Sequence, residues 1–274
     1  MPRTVDGIVG VTLGYLGIGA LAGALAGLLG VGGGLIIVPL LIATFSRQSL
    51  PAGSLMHLAL GTSLASIVFT SISSFRAHHR RGAVDWGIVR RITPGILAGT
   101  FGGSWIAARL STRPLTWLFT VFLYAVALQM FLDRKPRPTR EVPGAAGSTA
   151  AGGVIGVVSS LVGIGGGSLS VPFMTWCNVP VHRAIGTSAA IGFPIAVAGA
   201  AGYIVNGLRA PGLPPHTLGF VHLHALLGIV AASVATAPLG ARLAHSLPVP
   251  RLKRAFAALL LVMGTRLLAG LLGR

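Results

Sequence analysis

Two long runs of the chain, residues 7–46 and 142–182, contain no Asp, Glu, Lys or Arg. A helix crossing a bilayer needs about 20 apolar residues at ~1.5 Å rise each. Each run is therefore too long for one straight span and long enough for a broken pair. Further weakly charged stretches follow at 48–75, 92–108, 114–132, 184–208, 210–241 and 255–273. The last contains Arg266, which must snorkel or face a protein interior. The pattern predicts an all-α integral membrane protein. A single Arg3 precedes the first run, and no small-residue cleavage pattern ends it, so no removable leader is expected.

Self-comparison finds a duplication. Gly30-Val-Gly-Gly-Gly-Leu-Ile-Ile-Val-Pro39 matches Gly163-Ile-Gly-Gly-Gly-Ser-Leu-Ser-Val-Pro172 at a shift of 133. Gly61-Thr62-Ser63 matches Gly186-Thr187-Ser188 at a shift of 125, so the first copy carries eight extra residues, Arg47 and Gln48 among them. Ala108-Arg109-Leu110 answers Ala241-Arg242-Leu243, again at 133. The expected organisation is two membrane repeats of about four or five segments each, 1–132 and 149–274, each with a Gly-rich broken helix. Between them, 133–148 holds Arg134, Lys135, Arg137 and Arg140 with Pro136, Pro138 and Pro143, which predicts a basic, solvated, non-helical linker on the cytoplasmic side.

The orientation of the halves stays open at this level. Counting each long run as one crossing gives eight spans and parallel halves, with basic loop residues divided 13 to 8. Counting each as a broken pair gives an odd number of crossings per half, inverted halves, and a division of 14 to 7. The run lengths and the glycines favour inversion.

Composition narrows the function. Hydrophobic residues make up 53% of the chain and charged residues 9%, with 21 Lys plus Arg against 4 Asp plus Glu. Four acids leave little for paired-carboxylate catalysis or hard-cation cages. The one cysteine, Cys177, rules out an internal disulfide and any cysteine-cluster metal site. The basic residues fall between spans, where they set topology, and no zinc finger, stacking platform or long basic run accompanies them, so nucleic acid is not an expected partner. No nucleotide-binding signature is present, and no cofactor is expected.

The tripled glycines carry the chemistry. Three glycines inside a span cost a helix about 1 kcal/mol each relative to Ala, and lipid cannot bond the freed peptide groups. A helix restarting after them presents N–H groups with no intrahelical partner and partial positive charge, which attract anions. Pro39 and Pro172, five residues past each last glycine, mark a kink or a first turn. Gly32, Gly33 and Gly34 and their counterparts Gly165, Gly166 and Gly167 are thus candidate substrate-binding residues. Thr62, Ser63, Thr187 and Ser188 join them as hydroxyl donors that suit an anion required to leave again; the competing reading bonds these hydroxyls to their own helix carbonyls. For Gly23, Gly27, Gly99 and Gly103 close helix packing is the expected role.

Other polar residues read as structural. His78 and His79 fall in a basic loop and are expected to be solvated, and His222 and His224 are expected at the interface. His57 is the first-half histidine inside an uncharged stretch, and any of these imidazoles has a proton-coupling reading. Asp85 is expected to pair with Arg81 or Arg90, Arg109 and Arg242 to anchor span ends, and Cys177 to be inert. No acid lies deep in a span, which disfavours a carboxylate relay and, with it, a membrane enzyme built on histidine.

At Gly30-Val-Gly-Gly-Gly, Val38-Pro39 and Gly61-Thr62-Ser63, with their second copies, the sequence resembles the sulfite exporter TauE/SafE family, also grouped as toluene-sulfonate-uptake-type permeases. That resemblance implies a multi-pass inner-membrane transporter of small sulfur-containing anions such as sulfite, sulfonates or sulfoacetate. It makes the glycine breaks and the Thr-Ser pairs pathway residues. The expected partners are a small anion and the lipid bilayer, with a homodimer admitted. The expected mode is alternating access about the two breaks; a passive anion channel, or transport of another small organic anion, is the alternative.

Overall fold

The computed structural model describes residues 5–29, 33–132, 141–243 and 249–273. Within them the chain forms ten helices: α1 Val5–Leu29, α2 Gly34–Arg47, α3 Leu55–His79, α4 Trp86–Arg109, α5 Thr112–Leu132, α6 Ala145–Val162, α7 Gly167–Trp176, α8 Val181–Gly207, α9 Leu223–Leu243 and α10 Val249–Leu272. A short antiparallel hairpin, β1 Thr217–Leu218 and β2 Val221–His222, precedes α9. Seven of the helices are long and apolar enough to cross a membrane. Residues 133–140 of the expected linker lie outside the described residues, and Ala145 to Ser148 form the first turn of α6 instead of an extended connector.

Both long uncharged runs are interrupted where the glycines stand. The first divides into α1 and α2, the second into α6 and α7. Gly33 and Gly166 precede the restarting helices with φ of 75° each, and Gly163 ends α6 at 66°. These are left-handed conformations that a Cβ disfavours, and glycine adopts them freely. Pro39 and Pro172 occupy the second turn of α2 and α7, not the first, so each leaves a carbonyl of the opening turn without its helical N–H.

α3 and α8 form the middle of the molecule and run antiparallel, with Gly192 beside Ser71 and Gly199 beside Leu64. The most extensive helix pairs lie outside them. α1 runs parallel to α9, with Gly19 on Ile229 and Gly23 on Ser233, and α4 runs parallel to α6, with Gly95 on Thr149, Gly99 on Gly153 and Gly103 on Val157. At these glycines a methyl group would collide with a carbonyl of the neighbouring helix. Without a hydrophobic drive between helices in lipid, close backbone approach and the dispersion it allows hold such pairs together. Leu13, Val121, Leu128, Phe131, Leu227 and Val262 are exposed on outer helices, an apolar surface suited to acyl chains.

Candidate anion site at the helix breaks

The two breaks meet. Gly34, the first residue of α2, lies against the Gly163 carbonyl so closely that a Cβ there would overlap it. Ser63 on α3 donates its hydroxyl to that same carbonyl at 2.7 Å. A carbonyl that would repel an anion is thereby covered. On the other side Ser170 of α7 donates to the Ser188 hydroxyl at 3.0 Å.

The second break opens on a small cavity of about 10 Å³, bounded by Ser71 and Ser74 of α3, Gly165, and Ser188 and Gly192 of α8. That is room for roughly one water-sized group. The Leu169 and Ser170 amides close on the Gly166 carbonyl at 3.0 and 2.8 Å, so the Gly167 and Ser168 amides are the ends that no helical carbonyl reaches. The buried hydroxyls of Ser74, Ser159 and Ser168 have no hydrogen-bond partner among the described residues. A buried hydroxyl left unpaired costs about 1–3 kcal/mol. Of the three, Ser74 lines the cavity, and no acidic residue does; Ser159, in the last turn of α6, and Ser168, in the first turn of α7, flank the break in the chain.

The sequence-derived residues divide between two roles. Gly32 lies outside the described residues. Gly33 and Gly166 shape the turns into α2 and α7, Gly34 and Gly167 begin those helices, and Gly165 and Ser188 line the cavity. Thr62 and Thr187 do something different. The Thr62 hydroxyl accepts the His222 amide at 2.9 Å, and the Thr187 hydroxyl accepts the Asp85 amide at 2.9 Å. Next to them, Gly61 lies under the Phe220 carbonyl and Gly186 under the Ala83 carbonyl, with no space for a side chain. Each Gly-Thr pair therefore holds an incoming loop. Ser71 and Ser74 are cavity residues that the duplicated motifs do not contain. The hydroxyl run Thr70-Ser71-Ile72-Ser73-Ser74 was the available signal, since 70, 71 and 74 share a face of a 3.6-residue helix.

Several expectations about single residues change. His78 is buried and faces the Gly27 carbonyl at 3.2 Å, because α3 continues through it instead of ending in a loop. His79 is exposed and accepts from Trp86 Nε1 at 3.2 Å. His222 is buried against Phe45 and Tyr15, not interfacial. Asp85 caps α4 by accepting the Gly87 and Ile88 amides at 3.0 and 3.2 Å. Its ion-pair partner is Arg183, at 3.5 Å, in place of Arg81 or Arg90. Tertiary contact between the α3–α4 loop and the start of α8 decides that. His57 faces the Ala107 carbonyl at 3.1 Å and stacks on Phe220. Arg109 lies over the Trp105 ring at 3.1 Å, and Cys177 is buried.

The family model for sulfite exporter TauE/SafE matches residues 15–267. A "Probable membrane transporter protein" of Haemophilus influenzae is 40% identical over 247 residues, covering 90% of this chain and 94% of its own. The Bacillus subtilis "Probable membrane transporter protein YunE" is 29% identical, covering 69% of this chain and 77% of its own. A counterpart with the same description from Methanocaldococcus jannaschii is 26% identical over 90% of this chain and 91% of its own. No solved structure matches the chain.

Proposed function

We propose, for a chain that belongs to the sulfite exporter TauE/SafE family and is a multi-pass membrane transporter, that it carries a small sulfur-containing anion by alternating access. The anion binds where α7 restarts after its glycines. The Gly167 and Ser168 amides supply backbone donors, and Ser74, Ser168 and Ser188 supply hydroxyls. No fixed cation holds it there, so release remains fast. Dipolar donors without a fixed cation still recognise an oxyanion, because each N–H or O–H bond to a charged acceptor contributes about 1.5–3 kcal/mol.

Two halves related by an inverted repeat fit the same reading. The support is the exchange of helices, α1 on α9 and α6 on α4, and the matched pair Thr62–His222 and Thr187–Asp85. A cavity between the halves with room for only about one water-sized group fits the contracted, substrate-free stage of such a cycle. Rocking one half against the other would open it to either side. The observation carrying the proposal is the unpartnered Ser74 hydroxyl inside the cavity at the second break.

Purified protein in liposomes tests it. Sulfite, thiosulfate or a simple sulfonate should cross, and under a coupling-ion gradient should accumulate above its equilibrium level. If all three neither bind nor move, the substrate assignment fails; if one only equilibrates under every ion gradient, alternating access with coupling fails.

A further inference from the structure

A second site lies on the other side of α3, and it is independent of which solute is carried. Phe69, Ile72, Ser73, Arg76 and Arg80 follow one another along a single face of α3, facing Val234 and Pro238 of α9 across a groove of about 370 Å³. Ser73 closes the floor by donating to the Val234 carbonyl at 3.0 Å. The break cavity uses Thr70, Ser71 and Ser74 instead, so the two sites share a helix and not a wall. Phe69 is 46% exposed, which opens the groove to the acyl region of the bilayer. From Phe69 to Arg80 the stripe rises ~16 Å, the depth of one leaflet of a hydrocarbon core about 30 Å thick.

The charges complete the match. Arg76 and Arg80 are exposed at one end of this apolar stripe, one helical turn apart. Neither has an acidic partner among the described residues, and the nearby Asp85 is already paired with Arg183. Arg81, Arg90 and Arg91 surround the same end of the molecule, which the positive-inside rule assigns to the cytoplasmic leaflet, where anionic lipids concentrate. We infer that the groove binds one anionic phospholipid. Its phosphate bridges the two guanidinium forks, which match phosphate oxygens bidentately, and an acyl chain lies over Phe69, Ile72, Val234 and Pro238. A soluble oxyanion would satisfy the arginines but has no use for the apolar floor.

The test is lipid retention by the purified full-length protein, read by native mass spectrometry from mixed micelles of phosphatidylglycerol and phosphatidylcholine. The wild type should retain one phosphatidylglycerol in preference to phosphatidylcholine. The double variant Arg76→Gln/Arg80→Gln should lose that preference by about 30-fold, given the typical worth of two interfacial arginines, and Arg113→Gln, exposed elsewhere, should keep it. Millimolar inorganic phosphate should not displace the lipid. Equal retention of both lipids, equal preference in the double variant, or displacement by free phosphate each overturns the inference. If the double variant does not fold, a photoactivatable phosphatidylglycerol on the wild type decides. Labelling within residues 69–80 or 234–238 supports the site, and labelling confined elsewhere refutes it.

Discussion

The Ser63 hydroxyl and the Gly163 carbonyl, 100 residues apart in sequence, are joined at 2.7 Å. This bond ties the centre of α3 to the residue where α6 gives up its helix. The broken helix thus satisfies one of its freed carbonyls with a side chain from elsewhere, as a membrane interior requires. Ser63→Ala should leave that carbonyl buried and unpaired, at about 1–3 kcal/mol. The expected result is a lower melting temperature in detergent, with Ser63→Thr restoring most of it. Equal melting of Ser63→Ala and wild type would remove the bond from the account of the break.

Ser74→Ala separates binding from stability. Its hydroxyl is buried and without a partner among the described residues, so removing it should leave the melting temperature unchanged or raised. Uptake should nevertheless weaken roughly tenfold in KM, the loss of about 1.5 kcal/mol expected for one hydrogen bond to an anion. A variant with unchanged uptake would move the substrate away from this cavity.

Thr187→Val makes the opposite expectation. The Thr187 hydroxyl accepts the Asp85 amide, so its loss leaves a part-buried donor unpaired and destabilises by about 1 kcal/mol. KM should change less than twofold in protein that remains folded, because the hydroxyl is turned to the loop. A large KM effect with unchanged stability would return Thr187 to the pathway.

Neighbouring glycines on α4 should behave differently. Gly99 packs on the Gly153 backbone, whereas nothing lies within 4 Å of a Cβ at Gly102. Gly99→Ala should cost about 1–3 kcal/mol by overpacking. Gly102→Ala should be neutral or stabilising by up to about 1 kcal/mol, through helix propensity. Thermal melting of the two variants, prepared side by side, checks both.

Asp85 combines two roles of unequal weight. Its ion pair with Arg183 is partly exposed at 3.5 Å and should contribute no more than about 1 kcal/mol. Its cap of α4 is the larger contribution, and asparagine caps nearly as well. Asp85→Asn should therefore melt close to wild type, while Asp85→Ala should lose about 1 kcal/mol more.

The local statements written into the sequence are those that solvent and covalent chemistry enforce residue by residue. Runs without charge partition into lipid wherever they fold, so the membrane class follows from 7–46 and 142–182 alone. Tripled glycine disfavours a continuous helix whatever surrounds it, and both runs are interrupted there. Roles that depend on a distant partner were not legible. Thr62 and Ser63 are adjacent hydroxyls of the same kind, yet one accepts an amide from the β2 loop and the other donates to the break at Gly163. Asp85 could pair with any arginine near it in sequence, and packing of its loop on α8 selected Arg183. Ser74 gains its importance from facing Gly165 and Ser188 across a cavity. Hydropathy and propensity are short-range properties. Which donor meets which acceptor is decided by the crossing of α3 and α8, a consequence of how all the helices pack at once.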